Sequence, residues 1–177
     1  MIKDIRNGKG VKCFFKPYSN GDTNVATREV ASYRKITGSN LASDVRICRL
    51  SGVVKDEWDR LMGLLLTYID CDHVTLAYAP GEETPDSLKQ KWVNQIKEAR
   101  AQLHDAGLVW GDAKPENVLI TEGDGSFSDI VNSDAWLIDF GGGYSQGFVD
   151  KEKARKVEGD MQGLENIIKY IFEGKEA

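Results

Sequence analysis

A chain of 177 residues is long enough for one domain, or for two small lobes sharing a cleft, and a chain of this size buries about 70% of its unfolded surface without needing staples. Its composition, 41% hydrophobic and 29% charged, is that of a globular protein. The 28 acidic residues outnumber the 23 basic ones for a net charge of −5, which argues against a nucleic-acid phosphate track or an anionic membrane surface as the main partner.

Taken in chain order, Val11 to Lys16 alternates, with Val11, Cys13 and Phe15 on one face and Lys12, Phe14 and Lys16 on the other. Gly8 and Gly10 precede this stretch and Pro17 follows it, so it reads as a strand. Ser19-Asn20-Gly21-Asp22 is a turn cluster. Between Asn24 and Thr37 the positions Ala26, Val30, Tyr33 and Thr37 recur at helical spacing, and Gly38 stops the helix. Strands are expected at Val45–Leu50 and Leu61–Tyr68. Thr84-Pro85 reads as a helix start, with Thr84 as cap and Pro85 at the first helical position. Leu88, Trp92, Ile96, Ala99 and Leu103 then form one apolar stripe, and the helix ends near Gly107. A short strand Val118–Ile120, a turn at Gly123-Asp124-Gly125 and a buried strand Ala135–Ile138 make a small hairpin. Gly141-Gly142-Gly143 interrupts it, and a last amphipathic helix carries Val157, Met161, Leu164, Ile168 and Ile171. The pattern is α+β, β-rich first and α-rich second.

Cys13, Cys48 and Cys71 are an odd number with no Cys-x-x-Cys. No zinc site or disulfide framework is expected, and a reducing compartment, the cytoplasm, fits best. The first residues lack the apolar run of a signal peptide, and Leu64-Leu65-Leu66, the longest apolar stretch, is far too short to span a bilayer. No Gly-x-Ser-x-Gly or His-Glu-x-x-His is present to support hydrolase or zinc chemistry. His73 and His104 are read as solvent-facing or structural.

The informative stretch is Gly111-Asp112-Ala113-Lys114-Pro115-Glu116-Asn117, leading into Val118-Leu119-Ile120, with Leu137-Ile138-Asp139-Phe140-Gly141 downstream. Two carboxylates and an amide fixed at the ends of short strands suit Mg²⁺ on nucleotide phosphates, which takes oxygen ligands. Asp112 lies near enough to accept a proton from a hydroxyl without touching the metal, and Lys114 can neutralise charge on a transferred phosphoryl group.

Asp-x-Lys-Pro-x-Asn-Val-Leu-Ile followed by Ile-Asp-Phe-Gly resembles the catalytic loop and metal motif of the protein-kinase-like superfamily. The resemblance covers roughly residues 11 to 172. It implies a two-lobed fold, with a small β-rich N-lobe over 1–69 and a truncated α-helical C-lobe over 70–177. It implies ATP and Mg²⁺ as cofactors, Asp112 as catalytic base, Lys114 as phosphate contact, and Asn117 and Asp139 as metal ligands. It also asks for a strand lysine tied to a helix glutamate. Glu29 is the glutamate, and the lysine is Lys16 or Lys12, Lys16 being preferred because Phe-Phe-Lys-Pro ends the strand where the chain turns toward the helix. Leu64 to Ile69 matches the inter-lobe hinge, whose main chain around Tyr68 and Ile69 would bond an adenine edge. Asp160 resembles the aspartate that supports the catalytic loop.

The sequence departs from the family in several places. No Gly-x-Gly-x-x-Gly precedes the lysine strand, so phosphate grip falls to Lys9 and the glycine amides of Asn7-Gly8-Lys9-Gly10. Trp110 stands where a histidine is usual, and Gly111 replaces the arginine that reads activation-loop phosphorylation. No Ala-Pro-Glu occurs, and only Gly142 to Gly159 separate Asp-Phe-Gly from the supporting helix, which leaves no room for a full peptide-docking platform. The expectation is an ATP- and Mg-dependent phosphotransferase acting on a hydroxyl acceptor, protein or small molecule. The alternative is a pseudokinase that binds nucleotide without phosphoryl transfer.

Overall fold

The computed structural model describes residues 5–19, 23–121, 132–141, 143 and 147–174. The expected Gly123-Asp124-Gly125 turn, residues 20–22 of the first turn cluster and Gly142 lie outside them. Six strands and three helices are described: β1 (Ile5–Arg6), β2 (Lys12–Pro17), α1 (Thr23–Gly38), β3 (Leu50–Lys55), β4 (Leu61–Thr67), α2 (Asp86–Asp105), β5 (Val118–Ile120), β6 (Ala135–Leu137) and α3 (Val157–Glu173). The first four strands form an antiparallel sheet in the order β1-β2-β4-β3. With α1 they make a small β-rich lobe, and α2, α3 and the β5–β6 hairpin make the helical one. The two-lobed α+β architecture is the expected one.

Helix α2 buries the anticipated stripe in full, with Leu88, Trp92, Ile96, Ala99 and Leu103 all nearly inaccessible. Its start differs by one position. Pro85 is the cap residue, with φ −60° and ψ 139° and no side-chain cap bond. The Thr84 hydroxyl instead accepts a hydrogen bond from the Gly81 N–H at 2.9 Å.

The strand expected over Val45–Leu50 is not one, and the strand forms at Leu50–Lys55, pairing with β4. Val45, Ile47 and Cys48 are buried because this extended segment lies beside β6 rather than in the first sheet. The Leu137 N–H donates to the Arg46 carbonyl at 2.9 Å, and the Cys48 N–H to the Leu137 carbonyl at 2.8 Å.

The buried faces of the other two helices are rotated from the expected ones. In α1 the buried stripe is Ala26, Glu29, Tyr33 and Ile36, while Thr37 is exposed. In α3 it is Asp160, Gly163, Leu164, Ile167 and Ile171, while Val157 and Met161 face outward. Each helix thus carries one carboxylate inside its core face. A buried charge is tolerated only when paired and hydrogen-bonded, and both carboxylates are.

Candidate active site

A cleft of about 820 Å³ lies between the lobes, lined on one side by Lys12, Phe14 and Lys16 of β2 and on the other by Leu119, Ile138 and Asp139, with Tyr68 and Ile69 at its hinge edge. That volume is within the range of small-molecule sites.

The Lys16 ammonium donates to Glu29 Oε1 at 2.8 Å and to Asp139 Oδ1 at 3.0 Å. Strand β2, helix α1 and the segment after β6 therefore meet at one cation, its partners 13 and 123 positions away. Burial alone would lower the lysine's proton affinity, but Asp139 and Glu29 together outweigh it and leave the pKa raised, so Lys16 is a full positive charge at neutral pH. The Tyr18 hydroxyl donates to the other Glu29 oxygen at 2.9 Å, and burial together with that carboxylate pushes its pKa up. Glu29, fully inaccessible, thus has both oxygens satisfied. Between the two candidate lysines the structure separates clearly: Lys12 sits over the Tyr68 ring, 3.7 Å from its centroid, at the rim rather than the centre.

Lys114 and Asn117 of the 112–117 loop converge on Asp112. Asn117 Nδ2 donates to the Asp112 carbonyl and to its Oδ2, both at 2.9 Å, and Lys114 Nζ lies 2.8 Å from the same Oδ2. A short 3₁₀ turn, Pro115–Asn117, delivers the amide, and β5 follows at once. The hairpin register then brings Asp139 alongside: Val118 faces Leu137, and the Ile138 N–H donates to the Asn117 carbonyl at 3.0 Å. Gly143 passes so close that a Cβ there would stand 2.8 Å from Asp112 Oδ2, an approach only glycine permits.

The donor set fits Mg²⁺. The Asn117 amide nitrogen is spent on Asp112, which leaves its oxygen, the atom a hard cation takes, without a hydrogen-bond donor among the described residues. Asp139 gives Lys16 one oxygen and keeps its other without a protein partner among those residues, on a side chain 37% exposed. No group of three or more His, Cys, Asp or Glu is placed to hold a metal among the described residues. A single carboxylate and a carboxamide completed by phosphate oxygens is nonetheless a usual Mg²⁺ arrangement.

Behind the loop, Asp160 Oδ2 accepts the Trp110 N–H at 2.7 Å and Oδ1 the Gly111 N–H at 2.8 Å, while His104 Nε2 lies 2.8 Å from Oδ2. His104 therefore belongs to the scaffold. His73 lines the cleft.

Three features escaped the sequence reading. Tyr18 lies two residues beyond Lys16, and period-2 alternation could have placed it on the lysine's face. Trp110 donates its indole N–H to the Ile138 carbonyl at 2.8 Å and so fixes the residue before Asp139; no sequence signal pointed to that bond. Phe140, next in the chain, packs edge-on against Tyr33 of α1 with centroids 5.6 Å apart.

The protein kinase domain model matches residues 7–162. A curated relative, cyclin-dependent kinase F-4 of Oryza sativa subsp. japonica, is 25% identical over 138 residues, covering 77% of this chain and 26% of the relative. The chain thus spans about a quarter of that protein's length. No helix among the described residues is long and apolar enough to cross a membrane.

Proposed function

Because the chain belongs to the protein kinase domain family, we propose that it binds ATP in the inter-lobe cleft and transfers the terminal phosphoryl group to a hydroxyl acceptor, protein or small molecule. One observation carries the reading: Lys16 pairs with Glu29 and also reaches Asp139, which gathers the lysine–glutamate ion pair and the aspartate on which phosphoryl transfer in this family relies. Glu29, held by Tyr18, orients Lys16 toward the phosphates. Asn117 and Asp139 are the residues that would hold Mg²⁺, which when bound supplies neutralisation of phosphate charge. Asp112, fixed by the Asn117 amide, accepts the proton of the incoming hydroxyl. Lys114, on the same carboxylate oxygen, is placed to follow the transferred group. The main chain at Tyr68 and Ile69 meets the base edge. Catalysis is then positioning and charge neutralisation.

The test is a pair of substitutions. Asp139→Asn should abolish Mg-dependent nucleotide binding, and Asp112→Asn should remove turnover, by a factor of about 10² or more, with nucleotide affinity nearly intact. Equal ATP affinity with and without Mg²⁺ in the unaltered chain would sink the proposal. A second reading, a nucleotide-binding module without transfer, is favoured by one feature. Ahead of the lysine strand the sequence offers Asn7-Gly8-Lys9-Gly10 in place of a Gly-x-Gly-x-x-Gly, with fewer glycine amides to hold phosphates. Thermal stabilisation by Mg-ATP with no phosphate transferred to any acceptor, itself included, selects that module.

A further inference from the structure

Tyr18 stands just past the end of β2, and its reach is built into that strand end. Pro17, the last paired residue, lies opposite Gly63 and has its own φ fixed at about −65°. The Tyr18 N–H then donates to the Met62 carbonyl of β4 at 2.9 Å, so residue 18 stays tied to the sheet after the strand has ended. The ring is half-buried against the core, and its hydroxyl donates to Glu29 Oε2 while Lys16 takes Oε1. Burial and the neighbouring carboxylate raise the hydroxyl's pKa, so it remains a donor at neutral pH.

Glu29 is fully inaccessible, so water does not replace a missing donor, and among the described residues Tyr18 is the only one that donates to Oε2. A buried carboxylate oxygen without a donor is costly, and α1 would relieve that cost by moving Glu29 away from the sheet. Lys16 has a second partner within reach, Asp139 Oδ1 at 3.0 Å. Once Glu29 withdraws, the ammonium is left to Asp139 alone.

We propose that Tyr18 is a positioning residue acting through Glu29: its hydroxyl keeps α1 seated against the small-lobe sheet, so that Lys16 stays shared with Glu29 and turned to the phosphates instead of being captured by Asp139. This deepens the nucleotide reading above and rests on it. The strand end then carries both the lysine and the clamp on its glutamate, and its effect follows the phosphates and not the base.

The experiment is calorimetric titration of the full chain with Mg-ATP and with adenosine, comparing the unaltered protein with Tyr18→Phe, Glu29→Gln and the double variant. Tyr18→Phe keeps the ring and its packing and removes only the hydroxyl. It should weaken Mg-ATP about tenfold or more and leave adenosine unchanged. In the Glu29→Gln background the same substitution should cost less than about twofold, because two residues that act as one unit are not additive. An unchanged Mg-ATP affinity in Tyr18→Phe overturns the proposal, as does an equal loss for adenosine, which would assign Tyr18 to packing. A full tenfold loss in the Glu29→Gln background overturns it too, since Tyr18 would then act independently of Glu29. An unaltered chain that binds neither ligand overturns this proposal and the nucleotide reading together, whereas Mg-ATP binding indifferent to the Tyr18 hydroxyl overturns this proposal alone.

Discussion

Replacing Trp110 by phenylalanine removes the indole N–H and shrinks a fully buried two-ring side chain to a single ring. The Ile138 carbonyl that receives it sits one residue before Asp139 and is left without that donor. Trp110 is 1% exposed, so water does not substitute at the indole position. Trp110→Phe should therefore lower stability by about 1–3 kcal/mol, read as a lower urea midpoint at unchanged m. An unshifted midpoint would show that neither the bond nor the packing of the indole contributes. The same position explains how the motif tolerates tryptophan where the family usually has histidine: its backbone N–H is held by Asp160 while its side chain braces the Ile138–Asp139 segment. Cys48 shows the opposite case, a group without site chemistry. Burial pushes its thiol up to about 12, so it stays protonated and unreactive.

At the level of elements, α3 is the platform on which the 110–117 loop rests. Asp160 bonds the loop's backbone, and one turn on, Gly163 lies against it so closely that a Cβ would meet the Ala113 carbonyl oxygen at 2.5 Å. Helix propensity alone favours alanine over glycine by about 1 kcal/mol, but the clash is with main chain and overpacking costs about 1–3 kcal/mol. Gly163→Ala should then lower the melting temperature and, by displacing Ala113, reduce turnover; a stabilised variant would contradict the close packing. This platform was only half legible in the sequence. The α2 stripe could be read directly because every member is apolar. In α1 and α3 the inward face includes Glu29 and Asp160, and a search for apolar periodicity rotates such a helix away from its own carboxylate. The motif residues Asp112, Lys114, Asn117 and Asp139 were legible because their spacing is local. The partners that make Glu29 and Asp160 tolerable inside, Tyr18 and the 110–111 backbone, come from other parts of the chain. Likewise Val45–Leu50 has the composition of a strand, but its hydrogen-bonding neighbour, β6, lies some 90 positions on and left no local signal, while the actual strand contains Ser51-Gly52 and reads as a weak one.

Across the whole molecule, Asp134 ties three parts together. Its carboxylate takes Gln95 Nε2 at 2.6 Å and Lys91 Nζ at 3.0 Å from α2, and Arg46 Nε at 3.3 Å from the segment ahead of β3. Partial burial would raise its pKa, but these donors outweigh it and hold the carboxyl below the usual 3.8. A depressed folded-state value means the stabilisation is complete above 3.8 and is lost as pH falls through the lower folded value. Asp134→Asn should therefore be less stable than the unaltered protein at neutral pH and converge with it in acid, as measured by urea unfolding from pH 6 down to 2. A difference independent of pH would assign the effect to packing instead. Beside this carboxylate runs the pair of main-chain bonds that sews Arg46 and Cys48 to Leu137. The small lobe is consequently joined to the large one along this stitched line as well as by the covalent crossing near Tyr68, the Lys16–Asp139 pair and the Tyr33–Phe140 contact. Swinging the halves apart would therefore have to break main-chain hydrogen bonds as well as side-chain contacts.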